Sequence, residues 1–226
     1  MKNIVVLTGA GMSAESGLKT FRDANGLWEG HDVMEVASPQ GWDANKNLVL
    51  DFYNQRRKQL LESEPNKAHL SVAALEKKYK VNIITQNVDD LHERAGSTNI
   101  IHLHGELLKV RSVYREELIY PWNKDLHLGD LADDGSQLRP YIVWFGEAVP
   151  MLDKAIEITK KADILVIIGT SMQVYPAASL IHYIQHATPI YFIDPDPNIL
   201  ASSHENLTII SEMASTGVEK LVDLLG

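Results

Sequence analysis

LTGAGMSAESGLKTFRD, residues 7–23, is the stretch on which the fold turns. It continues Asn3-Ile4-Val5-Val6-Leu7, a short apolar, β-branched run of the kind found in a parallel strand buried on both faces. The run breaks at Gly9-Ala10-Gly11, and Ser13, Ala14 and Glu15 suit the start of a helix. Strand, glycine turn and helix N-terminus together predict an anion site, because backbone N–H groups and the helix dipole point at the ligand. Gly9, Gly11 and Ala14 match the G-x-G-x-x-G/A dinucleotide pattern. A tight turn that needs glycine for a positive φ matches it equally well.

Further along, the spacing departs from an ordinary dehydrogenase. The usual βαβ unit closes in roughly 30 residues with an acidic residue after its second strand. Here the next strand pattern is 81–85, and it ends in Gln86-Asn87. The intervening chain predicts a lid and a helical insertion. Residues 17–30, with Phe21, Arg22, Asp23, Gly26, Leu27 and Trp28, lack periodicity and read as the lid. Residues 45–62 and 66–79 carry helical patterns. Residues 99–101 read as another strand, 110–140 as a polar, irregular peripheral module, and 141–145 as an extended segment. The last third alternates: helix 151–162, strand 163–168, a helix after Pro176, strands 190–193 and 207–210, helix 216–225. Such alternation predicts an α/β fold, a parallel sheet with helices on both faces.

Composition narrows the partners. The 226 residues carry a net charge of −9 and no polybasic cluster, which disfavours nucleic acid. Cysteine is absent, so there is no disulfide framework, thiolate nucleophile or cysteine zinc site. No apolar run approaches 18 residues and Met1-Lys2-Asn3 leads straight into a strand, so a soluble, cytoplasmic protein without a membrane partner is expected.

Polar clusters end five predicted strands: residues 9–13, 86–89, His104, 169–171 and Asp194. Convergence on one edge of a parallel sheet is the geometry of a nucleotide crevice. Asn87 and Asp89 offer an amide and a carboxylate to sugar hydroxyls or a carboxamide, or else cap a helix. Thr170 and Ser171 suit a phosphate or ribose contact, or a cap; Asp194 suits a ribose diol, or a cap. His104 precedes Gly105, which permits a close ligand approach, and imidazole is the natural general base near neutral pH. His102, two residues earlier, is expected on the opposite side of an extended chain.

The motifs then show a family likeness. Gly9-Ala10-Gly11-Met12-Ser13, Phe21-Arg22-Asp23, Gln86-Asn87-Val88-Asp89, His104-Gly105, Arg139-Pro140, Phe145-Gly146-Glu147 and Gly169-Thr170-Ser171 occur in the order seen in sirtuins, and the chain resembles that family along nearly its whole length. The resemblance implies a Rossmann-like large domain (about 1–29, 66–106 and 140–226) and a small domain from two insertions (about 30–65 and 107–139). It implies NAD-dependent removal of acyl groups from lysine in proteins or peptides, releasing nicotinamide, free lysine and O-acyl-ADP-ribose. By position, Gly9, Ala10, Gly11, Ser13, Phe21, Arg22, Gln86, Asn87 and Asp89 would line the NAD and nicotinamide pockets. Gly169, Thr170 and Ser171 would contact the adenosine half, and Ala214 joins the cofactor contacts. Asp194 would too, although sirtuins often have asparagine there. His104 would be general base on an NAD-ribose hydroxyl. Val143, Phe145, Gly146 and Glu147 would receive the substrate backbone as an added strand. The same cofactor pocket would also serve a protein mono-ADP-ribosyltransferase or a non-catalytic NAD-binding protein.

Sirtuins usually carry two Cys-x-x-Cys pairs in the small domain; Arg111-Ser112-Val113-Tyr114 stands at the first. No structural zinc is therefore expected. Val110, Val113, Tyr114, Leu118, Ile119, Tyr120 and Trp122 are expected to hold the module by packing. Tyr53 and Arg56, at i and i+3 on a helix, share a face. With Ala37 upstream, the Tyr-x-x-Arg spacing resembles the desuccinylase and demalonylase subclass, in which this pair reads an acyl carboxylate. A solvated helix face beside Arg57 and Lys58 is the bland alternative.

Overall fold

The computed structural model describes residues 1–19, 27–28, 30–197 and 205–226. Its elements run β1 (Asn3–Thr8), β2 (Leu27–Trp28), β3 (His31–Asp32), α1 (Val33–Val36), α2 (Pro39–Ala44), α3 (Lys46–Glu62), α4 (Lys67–Ala74), β4 (Lys80–Thr85), α5 (Leu91–Arg94), β5 (Ile100–His102), β6 (Gly105–Ser112), β7 (Ile119–Pro121), β8 (Leu138–Ile142), α6 (Leu152–Thr159), β9 (Ile164–Ile168), β10 (Ile190–Ile193), β11 (Leu207–Ile210) and α7 (Ala214–Leu225). No helix among the described residues is long and apolar enough to cross a membrane.

The main sheet is parallel, in the order β11-β10-β9-β1-β4-β5. The chain starts in the middle, winds out through β4 to β5, then returns to the other side of β1 with β9. The reversal falls between β1 and β9, and a doubly wound sheet opens a ligand crevice at the C-terminal ends of such strands. The apolar run of β1 is explained by burial on both faces. Ile4 and Val6 pack with α4 and α7, whereas Val5 and Leu7 pack with α6 and residues 177–181. All four are fully buried.

Helix α3 starts where Asn45 accepts a bond from the Leu48 amide, and α4 starts at an Asn66–His69 capping box. Helices α1–α3 do not join the main sheet. Their Val36, Trp42, Val49, Tyr53 and Leu60 share a core with Leu107, Val110, Leu126, Leu138 and Trp144, so the two insertions pack on one another.

Three expectations are corrected. The chain after Gly9 forms two 3₁₀ turns, Ala10–Met12 and Ala14–Ser16, not an α-helix. The Gly11 amide bonds to the Gly169 carbonyl, and Met12 and Ser13 then close i→i+3 bonds onto Gly9 and Ala10. The α-helix expected to point its dipole at a ligand is therefore not formed at this turn. The chain after Pro176 is likewise 3₁₀, Ala177–Tyr183. Residues 110–140 are largely irregular, as expected, but they are framed by a small antiparallel sheet, β7-β6-β8, that was not expected. Mixed charge in β6 and Pro140 in β8 hid it, yet β8 is an edge strand, where proline is tolerated. Finally, Tyr114 (84% exposed) and Ile119 (38%) do not pack inside the module. A polar knot stands there instead. Ser112 Oγ donates to Asp134 at 2.7 Å, lies 2.7 Å from Ser136 Oγ, and accepts from the Tyr114 and Arg115 amides.

Candidate active site

The C-terminal edge of the sheet gathers the clusters. The Gly9–Gly11 turn lies flat against the end of β9. A Cβ on Gly9 would lie 2.7 Å from the Gly169 carbonyl oxygen, and one on Gly11 would lie 2.6 Å from Gly169 Cα. Gly169 itself has φ +61°. Glycine at these three positions thus serves the contact between the two loops. Across the gap, Gln86 Nε2 donates to Thr170 Oγ1 at 3.1 Å.

Beside it, Ser13 Oγ donates to Asp89 Oδ2 at 2.9 Å and accepts from Asn87 Nδ2 at 3.1 Å. The other Asp89 oxygen accepts from the Leu91 amide. Burial pushes the Asp89 carboxyl upward, against the two bonds it accepts. Asn87 and Asp89 are therefore gathered around one hydroxyl, and Asp89 also caps the turn into α5. An amide, a carboxylate and a hydroxyl in one buried group match the donor and acceptor pattern of a carboxamide. Beneath them His69, missed in the sequence, accepts the Asn66 amide on Nδ1 and reaches Ser13 Oγ with Nε2 at 3.5 Å. Burial lowers its pKa to about 4, so it is neutral.

His104 Nδ1 lies 3.0 Å from the Gln86 carbonyl. A carbonyl only accepts, so Nδ1 carries the proton and Nε2 keeps its lone pair. Burial lowers the pKa of His104, opposed by that bond. Gly105 follows with φ +86°, and a Cβ there would collide with the Tyr141 carbonyl. The His104 carbonyl accepts from Val143, which ties this histidine to residues 143–147. His102 grips the neighbouring carbonyl, Asn87, with Nδ1 at 3.2 Å.

Residues 143–147 turn around a buried ion pair. Arg139 donates to both Glu147 oxygens, at 2.6 and 3.1 Å, and stacks on Trp144 with Cζ 3.3 Å from the ring centre. Strand β8 therefore stops at Ile142 rather than running to residue 145. The Glu147 carboxylate holds this loop together, and the Phe145 and Glu147 amides are spent on Ala37 and Trp144 carbonyls. Those two amides are therefore engaged within the protein, and the Phe145 side chain is exposed.

Trp144 Nε1 donates to the Tyr53 hydroxyl at 3.0 Å. Tyr53 is fully buried, among Trp28, Phe52 and Trp144, and burial raises its pKa. Ala37 is buried in the same cluster, and Arg56 sets its guanidinium 5.3 Å from the Phe52 ring. Arg57 is not on a solvated face: it is 1% exposed, bonds the Leu107 and Lys124 carbonyls and Asn54, and burial lowers its pKa to about 10.

The remaining predicted contacts are farther apart in role. Ser171 is half-buried after β9. Asp194 ends β10 and accepts from the Asp196 amide, a turn-capping bond. Ala214 is buried at the start of α7 in the Met12 cluster. Phe21 and Arg22, with most of the lid, lie outside the described residues.

The Sir2 family profile matches residues 9–176, and the chain belongs to the Sir2 family. It is 63% identical over 225 residues to an NAD-dependent protein deacylase of Helicobacter pylori, covering all of this chain and 98% of the relative. It is 54% identical over 231 residues to one of Bacteroides thetaiotaomicron, covering 100% and 98%. A crystal structure of a Sir2 homolog–NAD complex superposes with TM-score 0.89 at 39% identity, covering 99% and 89%.

Glu147→Gln tests the ion pair. Burial raises the Glu147 carboxyl, but the Arg139 bond and charge, the Trp144 amide and nearby Arg111 together outweigh it, and the net shift is below the ordinary 4.5. A depressed folded value means the pair stabilises fully above the unfolded pKa and weakens as pH falls through the folded one. The variant should lose about 3 kcal/mol at pH 7, and melting curves of variant and parent should converge in acid. A gap that stays constant with pH would remove the ion pair as its source.

Proposed function

We propose that this chain is an NAD-dependent protein-lysine deacylase that yields nicotinamide, O-acyl-ADP-ribose and free lysine. The observation that carries it is His104, whose Nδ1 is committed to Gln86 while Nε2 is left to take a proton. NAD, when bound, supplies the ribose that accepts the acyl group as nicotinamide departs. Ser13, Asn87 and Asp89 would hold its carboxamide end, and the glycine turn with Thr170 and Ser171 its adenosine half. His104 would draw a proton from a ribose hydroxyl. The 143–147 loop would present exposed Phe145 to an extended peptide, with Val143 and Gly146 flanking it.

Incubation with NAD and acetylated or succinylated peptides should give peptide lighter by one acyl group, read by mass. A stable ADP-ribose adduct on protein, or no change in peptide mass, would sink the proposal. His104→Ala should slow turnover by about 10²-fold or more while NAD still binds. Near-normal turnover would take His104 out of the mechanism.

Within this activity we infer a preference for acidic acyl groups, succinyl or malonyl. The support is local. Tyr53 is bonded to Trp144, next to Phe145, and Arg56 lies one turn along the same helix. Arginine grips a carboxylate in two places, and the tyrosine hydroxyl retains a proton to donate. Losing one partner of such a desolvated pair costs about 2–5 kcal/mol. Arg56→Met should therefore cut kcat/KM for succinyl-lysine on the order of 30-fold or more, at about 1.4 kcal/mol per tenfold. Acetyl-lysine should be little affected, and equal losses on both substrates would make Arg56 structural.

The small module is read as zinc-free. Structural zinc takes four ligands, normally thiolates or imidazoles. Between His104 and Arg139 the sequence offers one such side chain, His127. Elemental analysis should find well under one zinc per chain, and chelator should leave the melting temperature unchanged. One bound zinc whose removal unfolds the protein would refute this.

A further inference from the structure

His102 lies outside the reaction assigned above, yet it touches the loop that carries Asn87 and Asp89. Its Nδ1 is 3.2 Å from the Asn87 carbonyl and its Nε2 is 2.8 Å from Glu93 Oε1. Neither partner, as carbonyl or carboxylate, can donate. Both ring nitrogens must therefore carry protons, and the side chain is an imidazolium. His104 takes the preceding carbonyl, Gln86, so two histidines two residues apart hold consecutive peptide groups of one loop.

We propose that His102 is a positioning residue whose Nδ1–H holds the Asn87 carbonyl and fixes the 86–89 loop for binding the nicotinamide end of NAD, while Glu93 on α5 steadies the ring from its other nitrogen. The proposal rests on the reading that Asn87 and Asp89 line that end. The bridge spans three pieces of chain. Asn87 follows β4, Glu93 sits on α5, and His102 closes β5. Asn87 would otherwise depend on its amide bond to Thr85 and its side-chain bond to Ser13. The carboxylates facing His102 favour the imidazolium: Glu93 on α5, Asp89 and Asp90 before it, and Glu106 on β6, which also pairs with Lys109. His92 on α5 also faces it and works against a second positive charge, but burial lowers the His92 pKa well below the ordinary histidine value. Burial works against the charge, but the Glu93 bond and charge, the Glu106 charge and the Asn87 bond together outweigh it, and the His102 pKa is raised.

Side-chain geometry supplies the test. An asparagine Nδ2 stands where histidine Nδ1 stands, and a glutamine Nε2 near histidine Nε2. His102→Asn should keep the Asn87 bond, and His102→Gln should keep only Glu93. His102→Phe keeps neither. Calorimetric NAD affinity and the nicotinamide concentration for half inhibition are measured for all three, with Asn87→Ala as reference. His102→Asn should stay within about threefold of the parent. His102→Gln and His102→Phe should weaken both quantities about tenfold, the size of one hydrogen bond to a charged group. Equal effects of Asn and Gln, or none from Phe, would overturn the proposal. Should the Phe variant fail to fold, the Asn–Gln contrast decides alone. Unchanged NAD and nicotinamide binding in Asn87→Ala would instead overturn the pocket reading. Nitrogen-15 spectra of His102 give a readout that needs no NAD. Two protonated ring nitrogens at pH 7 are expected, and a neutral tautomer would exclude the bridge.

Discussion

The structure depends on one close approach of backbone to backbone. The end of β1 and the end of β9 meet at the reversal point of the sheet, where the Gly11 amide donates to the Gly169 carbonyl at 2.9 Å. Side chains at Gly9, Gly11 or Gly169 would push the two loops apart. That contact closes the floor of the crevice. Beyond that contact the chain leaves β1 in two 3₁₀ turns. Ser13 is left pointing at Asn87 and Asp89, and a polar centre forms without an anion-binding helix.

From that floor the site is assembled by carbonyls as much as by side chains. The Gln86 and Asn87 carbonyls receive His104 and His102, and the His104 carbonyl receives Val143. Each bond passes position from the sheet outward. The last link is the Arg139–Glu147 pair under Trp144, which shapes the loop bearing Phe145 and hands Trp144 to Tyr53. A buried ion pair contributes little net stability, but removing one partner is costly. Its value here is directional: the bidentate fork sets where the loop turns.

Residues 107–139 are tied down without thiolates. Ser112, Asp134 and Ser136 bond one another and two backbone amides, while Arg57 and Asn54 anchor the 124–126 segment to α3. Buried Arg57 offsets part of its desolvation through Nε and Nη1, which reach the Leu107 and Lys124 carbonyls and the Asn54 side chain, while Nη2 has no hydrogen-bond partner among the described residues.

Much of this was legible in the chain alone. Apolar β-branched runs declared β1, β4, β9 and β10, because a strand buried on both faces leaves no room for alternation. The polar residues that follow those strands named the crevice edge, and His104 stood out by preceding a glycine. Sequence also settled what is missing, since a chain without cysteine cannot build a thiolate site. What only the tertiary structure decided are relations between segments distant in sequence. His102 binds a carbonyl fifteen residues away and Tyr53 a tryptophan ninety-one residues away. Pro140 sits in a strand because that strand is an edge. No local pattern encodes these, since hydrogen-bond direction and burial are set by what the rest of the chain brings alongside.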